Sequence, residues 1–114
     1  MQCQMKRQRL HWPELLAAFM IAGTPALAGD VTHMRQAELI DLVRQDCGSC
    51  HGMTLKGGLG RPLRPSDLAG FDEASLADVI LDGVPGTPMP PWRGLLSEIE
   101  ARWIARNLKT GLDR

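Results

Sequence analysis

Cys47-Gly48-Ser49-Cys50-His51 places two thiols one helical turn apart, with an imidazole directly after the second. That arrangement reads as an attachment site for c-type haem. Each part has a chemical reason. The thiols add across the two vinyl groups of the porphyrin, and the small residues between them let a single turn of backbone present both sulfurs. The imidazole then lies under the iron as its proximal ligand. Two other chemistries use a pair of cysteines at this spacing. A thioredoxin-like dithiol fits poorly, because no βα unit precedes the motif. Half of a zinc site needs a second ligand pair, and the remaining candidates are only Cys3, His11 and His33. His33, at the entry of a helix, is expected to face solvent.

Upstream of the motif, Met34, Ala37, Ile40, Val43 and Cys47 recur at helical spacing between Glu38, Asp41 and Arg44. The pattern predicts an amphipathic helix over 33–46 that runs straight into the motif, with Met34 on its apolar face. Gly48 and Gly52 are expected to break the helix there. Downstream, Thr54 to Pro65 (TLKGGLGRPLRP) reads as an irregular loop, and Ser66 as the cap of a short turn ending near Gly70. Asp72 is placed to cap a second helix whose apolar face carries Leu76, Val79 and Ile80 and which stops at Gly83. After another Pro-rich loop, Ser97-x-x-Glu100 forms a capping box. It opens a helix to Thr110 with Ile99, Trp103, Ile104 and Leu108 on the buried side. No stretch alternates with the period of a strand. The expected fold class is all-α: one compact domain of three main helices joined by Gly/Pro loops around one covalent haem.

The first 28 residues read differently. Lys6, Arg7 and Arg9 precede the short apolar run Leu15 to Ala22, and Ala26-Leu27-Ala28 supplies a small-x-small cleavage pattern. This is the layout of a cleaved signal peptide over 1–28, leaving a monohaem domain over 29–114 in the periplasm. The apolar run is shorter than the ~20 residues a membrane span requires, so no stable span is expected after cleavage. Cleavage removes Cys3, which leaves Cys47 and Cys50 as the only thiols. The whole chain balances 13 Lys+Arg against 13 Asp+Glu. Loss of three basic residues and only Glu14 leaves the domain weakly negative, which gives no support for nucleic-acid binding. So short a chain is marginal without a staple; the haem would provide one.

The sixth position on the iron decides between electron transfer and ligand chemistry. Three methionines follow residue 28: Met34, Met53 and Met89. Met53 stands too close to His51 to pass around the ring, and Met34 is expected to pack as core. Met89 lies in Gly86-Thr87-Pro88-Met89-Pro90-Pro91-Trp92, where prolines on both sides fix φ and withhold backbone donors. A strap of that kind suits a thioether held against iron as the distal ligand. The free ring nitrogen of His51 needs a carbonyl acceptor, for which Arg61 or Pro62 is placed. Trp92, Arg61 and Arg64 are candidate neighbours of the haem propionates.

With CGSCH early and GTPMPPW late, the chain resembles a class I cytochrome c over Asp30–Arg114. The runs LVRQDCGSCHGMTLKGGLG, ILDGVPGTPMPPW and LLSEIEARWIARNL are similar to the short periplasmic cytochrome c55X type. The resemblance implies a fold in which the first and last helices cross, so that Ile40 and Val43 would meet Trp103 and Ile104. It carries over Cys47 and Cys50 as haem thioethers, and His51 and Met89 as iron ligands. It also implies a monomeric one-electron carrier rather than an enzyme. The implied partner is a periplasmic redox protein, the cytochrome cd nitrite reductase of denitrification. The alternative it implies is a factor in maturing the haem d of that reductase. One departure is visible, since Arg61 stands before Pro62 where the family often has glycine.

Overall fold

Thr32 opens the first helix, its hydroxyl accepting a hydrogen bond from the Arg35 amide at 3.3 Å. A computed structural model describes residues 29–112, and the expected signal peptide lies outside the described residues. Helix α1 spans His33–Leu42 and passes into a turn of π-helix, Val43–Cys47, and then into α2, Gly48–His51. The helical path therefore runs through Gly48 rather than breaking there. Gly48 has ordinary helical angles and is buried. A methyl group on it would make only ordinary contact, 3.4 Å from the Met53 backbone. The break falls at Gly52, with φ +90.

A loop leads to α3, Pro65–Leu68. Its N-cap position is Arg64, not the expected Ser66, and Pro65 takes the first helical position, where its fixed φ is no cost. Helix α4, Glu73–Asp82, starts at Asp72, whose carboxylate accepts the Ser75 amide at 2.9 Å, and ends at Gly83 with φ +66. Helix α5, Glu98–Thr110, opens on the Ser97/Glu100 capping box and ends at Gly111. Both helices keep the bounds expected from their caps. Among the described residues there is no strand, and the domain is all-α.

Helix α5 is the hub, packing against α1, α3 and most extensively α4. Its buried side is Ala101, Ile104, Ala105 and Leu108, with Trp103 half-buried. The two alanines, one turn apart, let the neighbouring helices approach closely. Ile99 is 48% exposed, against expectation, because at 100° per residue it lies on the opposite side of α5 from the buried Ala101 and Leu108. Leu39 and Val43 of the α1 segment are fully buried in the same cluster, and Ile40 is half-buried. Met34 is 81% exposed rather than core. At 100° per residue it lies about 140° around the helix from Leu39. On α4 the fully buried positions are Ala77 and Leu81. Leu76 and Ile80 are only half-buried, and Val79 is 38% exposed. No helix among the described residues is long and apolar enough to cross a membrane.

Candidate haem site

His51 is the last residue of α2 and is half-buried. Its Nδ1 lies 2.6 Å from the carbonyl oxygen of Arg61. A carbonyl only accepts, so the contact fixes the tautomer with the proton on Nδ1 and leaves the Nε2 lone pair for a metal. Of the two carbonyls the sequence offered, the structure selects Arg61. The loop that brings it there is laced to the end of the helical path. The Gly60 amide donates to Cys50 O at 2.7 Å, and the Gly57 amide donates to His51 O at 2.8 Å. Gly60 packs against the imidazole so closely that a Cβ would sit 2.7 Å from both Nδ1 and Cε1. This residue was not singled out by the sequence reading, because close approach leaves no periodic signature.

Cys47 and Cys50 are free thiols, both half-buried, one turn apart on the same helical path. Burial, and after it the Asp46 carboxylate, pushes the Cys47 thiol up to about 11. At physiological pH the Cys47 thiol is therefore held in its neutral form. Ser49 donates to the Asp46 carbonyl at 2.7 Å, which tightens the turn between the thiols. Among the described residues no group of three or more His, Cys, Asp or Glu side chains is placed to hold a metal ion. The zinc alternative therefore finds no second ligand pair there.

Met89 is half-buried in a loop folded back onto the end of α4. Its amide donates to the Thr87 hydroxyl at 3.3 Å, and its carbonyl accepts the Val84 amide at 3.2 Å. The Trp92 amide donates to Leu81 O at 3.0 Å and closes the loop. Any side chain at Gly83 would collide with this strap, a Cβ falling 2.7 Å from Met89 O. Met34 and Met53, by contrast, are 81% and 68% exposed. The candidate propionate neighbours have other partners: Arg64 forks onto Asp67 at 2.7 and 3.1 Å, and Arg61 lies over the Phe71 ring. Trp92 is half-buried against the core with Leu55, Leu63, Leu76 and Ile80. Two free thiols on one turn, an imidazole with Nδ1 committed and Nε2 available, and these apolar side chains fit a covalently held porphyrin.

The sequence profile of the family described as cytochrome c oxidase, cbb3-type, subunit III matches residues 35–106. The chain is 60% identical over 90 residues to cytochrome c55X of Paracoccus denitrificans (strain Pd 1222), covering 79% of this chain and 86% of that protein. The solved structure of the c-type cytochrome NirC aligns with a TM-score of 0.69 and 51% identity, over 70% of this chain and 94% of that one. A second structure, dihydro-heme d1 dehydrogenase NirN in complex with DHE, aligns with a TM-score of 0.58 and 35% identity. The alignment covers 65% of this chain but 16% of the larger protein. Taken with the all-α fold, these likenesses place the chain in the cytochrome c55X family, the NirC type of class I cytochromes c that carries one covalently bound haem c.

Proposed function

We propose that the protein is a periplasmic one-electron carrier that donates to the cytochrome cd nitrite reductase of denitrification. Residues 1–28 are its cleaved signal peptide and 29–114 its monomeric haem domain. Cys47 and Cys50 hold the haem as thioethers, and His51 and Met89 ligate the iron. The observation that carries this reading is the His51 Nδ1 contact to Arg61 O at 2.6 Å, which commits one ring nitrogen and frees the other. When bound, the haem supplies a reversible one-electron couple. His51 is kept in one tautomer and orientation by the Arg61 carbonyl, which raises its basicity. Met89 is delivered by a strap that three hydrogen bonds, one of them to the Thr87 hydroxyl, and two flanking prolines hold in shape. Both side chains sit on segments with little freedom to move, so little reorganisation accompanies a change of charge. A thioether in the distal position favours the reduced state. The partner would dock near the Cys47–Cys50 turn and the Met89 strap, the segments whose residues would hold the haem, over a transient interface below ~1,200 Å².

The test is a visible spectrum of the periplasmically expressed protein, oxidised and reduced. The expected ferric spectrum shows the weak far-red sulfur-to-iron band, and Met89→Ala removes it. A ferrous spectrum that changes fully on adding carbon monoxide to the untreated protein would show an open iron and overturn the carrier reading. Rapid mixing of the reduced protein with nitrite reductase then tests the partner.

A second reading has one observation in its favour, the likeness to part of a dihydro-haem d1 dehydrogenase. On that reading the protein serves the maturation of haem d. A deletion strain that still makes reductase with a full complement of haem d excludes it.

A further inference from the structure

We infer that Arg61 and Phe71 are positioning residues that set the strength of the His51 hydrogen bond, and through it the iron potential, by clamping the loop that carries the accepting carbonyl. The inference rests on His51 being the proximal ligand. The Arg61 guanidinium lies 5.1 Å from the centroid of the Phe71 ring, a cation–π distance. The carbonyl of the same residue meets His51 Nδ1 at 2.6 Å. Side chain and carbonyl therefore anchor one residue from two directions. Pro62 adds a third restraint, since the residue before a proline is confined to extended backbone, which limits how the Arg61 carbonyl can swing.

Phe71 is itself held at both ends. Its amide donates to Leu68 O of α3 at 3.1 Å, and its carbonyl accepts the Lys109 ammonium of α5. The chain of contact thus runs from α5 through Phe71 and Arg61 to the imidazole. Asp67 also feels the Arg61 charge, although its carboxylate is held mainly by Arg64. Other residues at position 61 would present the same carbonyl. Only one with a cation reaching Phe71 ties that carbonyl to the C-terminal helix.

The sign follows from the chemistry. A firm Nδ1–H···O bond makes the imidazole a stronger electron donor, and a stronger donor stabilises ferric over ferrous iron. Loosening the carbonyl weakens that bond and raises the potential. Removing the Arg61 charge alone would act oppositely, since loss of a nearby cation favours the ferric state. Phe71→Leu separates the effects, because it keeps the charge and removes the aromatic face. Phe71→Trp keeps the face.

The experiment uses the full haem protein, with the potential measured by spectroelectrochemical titration. Exchange of the His51 Nδ1 proton in the ferrous state is followed by nuclear magnetic resonance. Phe71→Leu is expected to favour the reduced form by up to about fivefold, the bound set by an exposed cation–π contact, and to speed Nδ1–H exchange. Phe71→Trp is expected to match the parent in both. Unchanged potential and exchange in Phe71→Leu, or a Phe71→Trp change as large as that of Phe71→Leu, would overturn the clamp. Should Phe71→Leu not mature, Arg61→Gln decides by the exchange rate alone, with faster exchange expected and an unchanged rate fatal. Failure of the underlying ligand assignment has its own signature: in the ferrous parent protein, His51 ring protons without the strong upfield shift of an axial ligand.

Discussion

A single methyl group at Gly60 would collide with the imidazole, its Cβ falling 2.7 Å from Nδ1 and Cε1 of His51. Neither side can yield cheaply, because the Gly60 amide is bonded to Cys50 O and the ring to Arg61 O. Gly60→Ala is therefore expected to cost about 1–3 kcal/mol, the range for overpacking. In a domain of this size that is a fall in melting temperature of roughly 4–8 °C per kcal/mol, with a smaller yield of haem-loaded protein. Gly70→Ala, where a Cβ meets nothing within 4 Å, is the control and should shift stability by less than about 0.5 kcal/mol. Equal effects from the two substitutions would contradict the packing account. The contrast shows what sequence discloses at this scale. Cys47, Cys50, His51 and Met89 stand out as candidates because haem attachment and iron ligation call for those residue types, the first three in a set motif. Gly60 does not, since nothing distinguishes it from Gly57 or Gly58 until the loop is folded against the ring. Met34 was misjudged for a related reason: an apolar residue in a first turn fits a periodic pattern without lying on its buried stripe.

Helix α5 begins with a device that also ties it to α1. Glu100 accepts the Ser97 amide at 2.8 Å and the Arg35 guanidinium at 2.5 Å, so one carboxylate closes the capping box and bridges two helices. The Ser97 amide first, and then Arg35, hold its carboxyl below the usual range of 4.5. A carboxyl lowered in the folded state stabilises the fold above its unfolded value and loses that contribution as pH falls through the folded one. The haem protein should therefore lose melting temperature on acidification below about pH 4.5, and Glu100→Ala should flatten that dependence. At pH 7 the same variant should cost about 1 kcal/mol for the lost box. Glu100→Gln, which can still reach the Ser97 amide, should cost less and flatten the acid dependence to the same extent, leaving the part due to Asp67, Asp72, Glu73 and Asp82. An unchanged acid slope in Glu100→Ala would remove Glu100 from the explanation. The Ser-x-x-Glu pattern, like Asp72 and Gly83, was legible because a cap is local chemistry. The π-turn at Val43–Cys47 and the continuation through Gly48 were not. Gly48 takes ordinary helical angles within a continuous helical path, a choice that a glycine's weak local propensity does not announce.

At the scale of the molecule, the core is small for a domain that must stay folded. Among the described residues the buried apolar ones are Leu39, Val43, Leu68, Ala77, Leu81, Leu96, Ala101, Ile104, Ala105 and Leu108, three of them alanines that add little buried surface. Around this cluster stand Leu55, Leu63, Leu76, Ile80, Trp92 and Trp103, each only half-buried. The apolar face of α4 expected from Leu76, Val79 and Ile80 packs at the edge of the core through Leu76 and Ile80, with Val79 38% exposed. Ala77 and Leu81 turn to the protein core, while Leu76 and Ile80 stand at its margin, and periodicity does not say which surface a residue serves. A haem c bound to the protein adds the large apolar body that these marginal side chains can cover. With so small an apolar core, the polypeptide alone is expected not to reach a positive stability. Cys47→Ser/Cys50→Ser removes both attachment points while changing little else, since neither thiol makes a disulfide. This variant, expressed to the same compartment, is expected to lack covalent haem, to show no cooperative thermal transition by far-ultraviolet circular dichroism, and to exchange its α5 amides without protection. A cooperative transition with protected α5 amides would mean that α5 and its three neighbouring helices suffice. Haem would then be a passenger on the fold, and not part of its core.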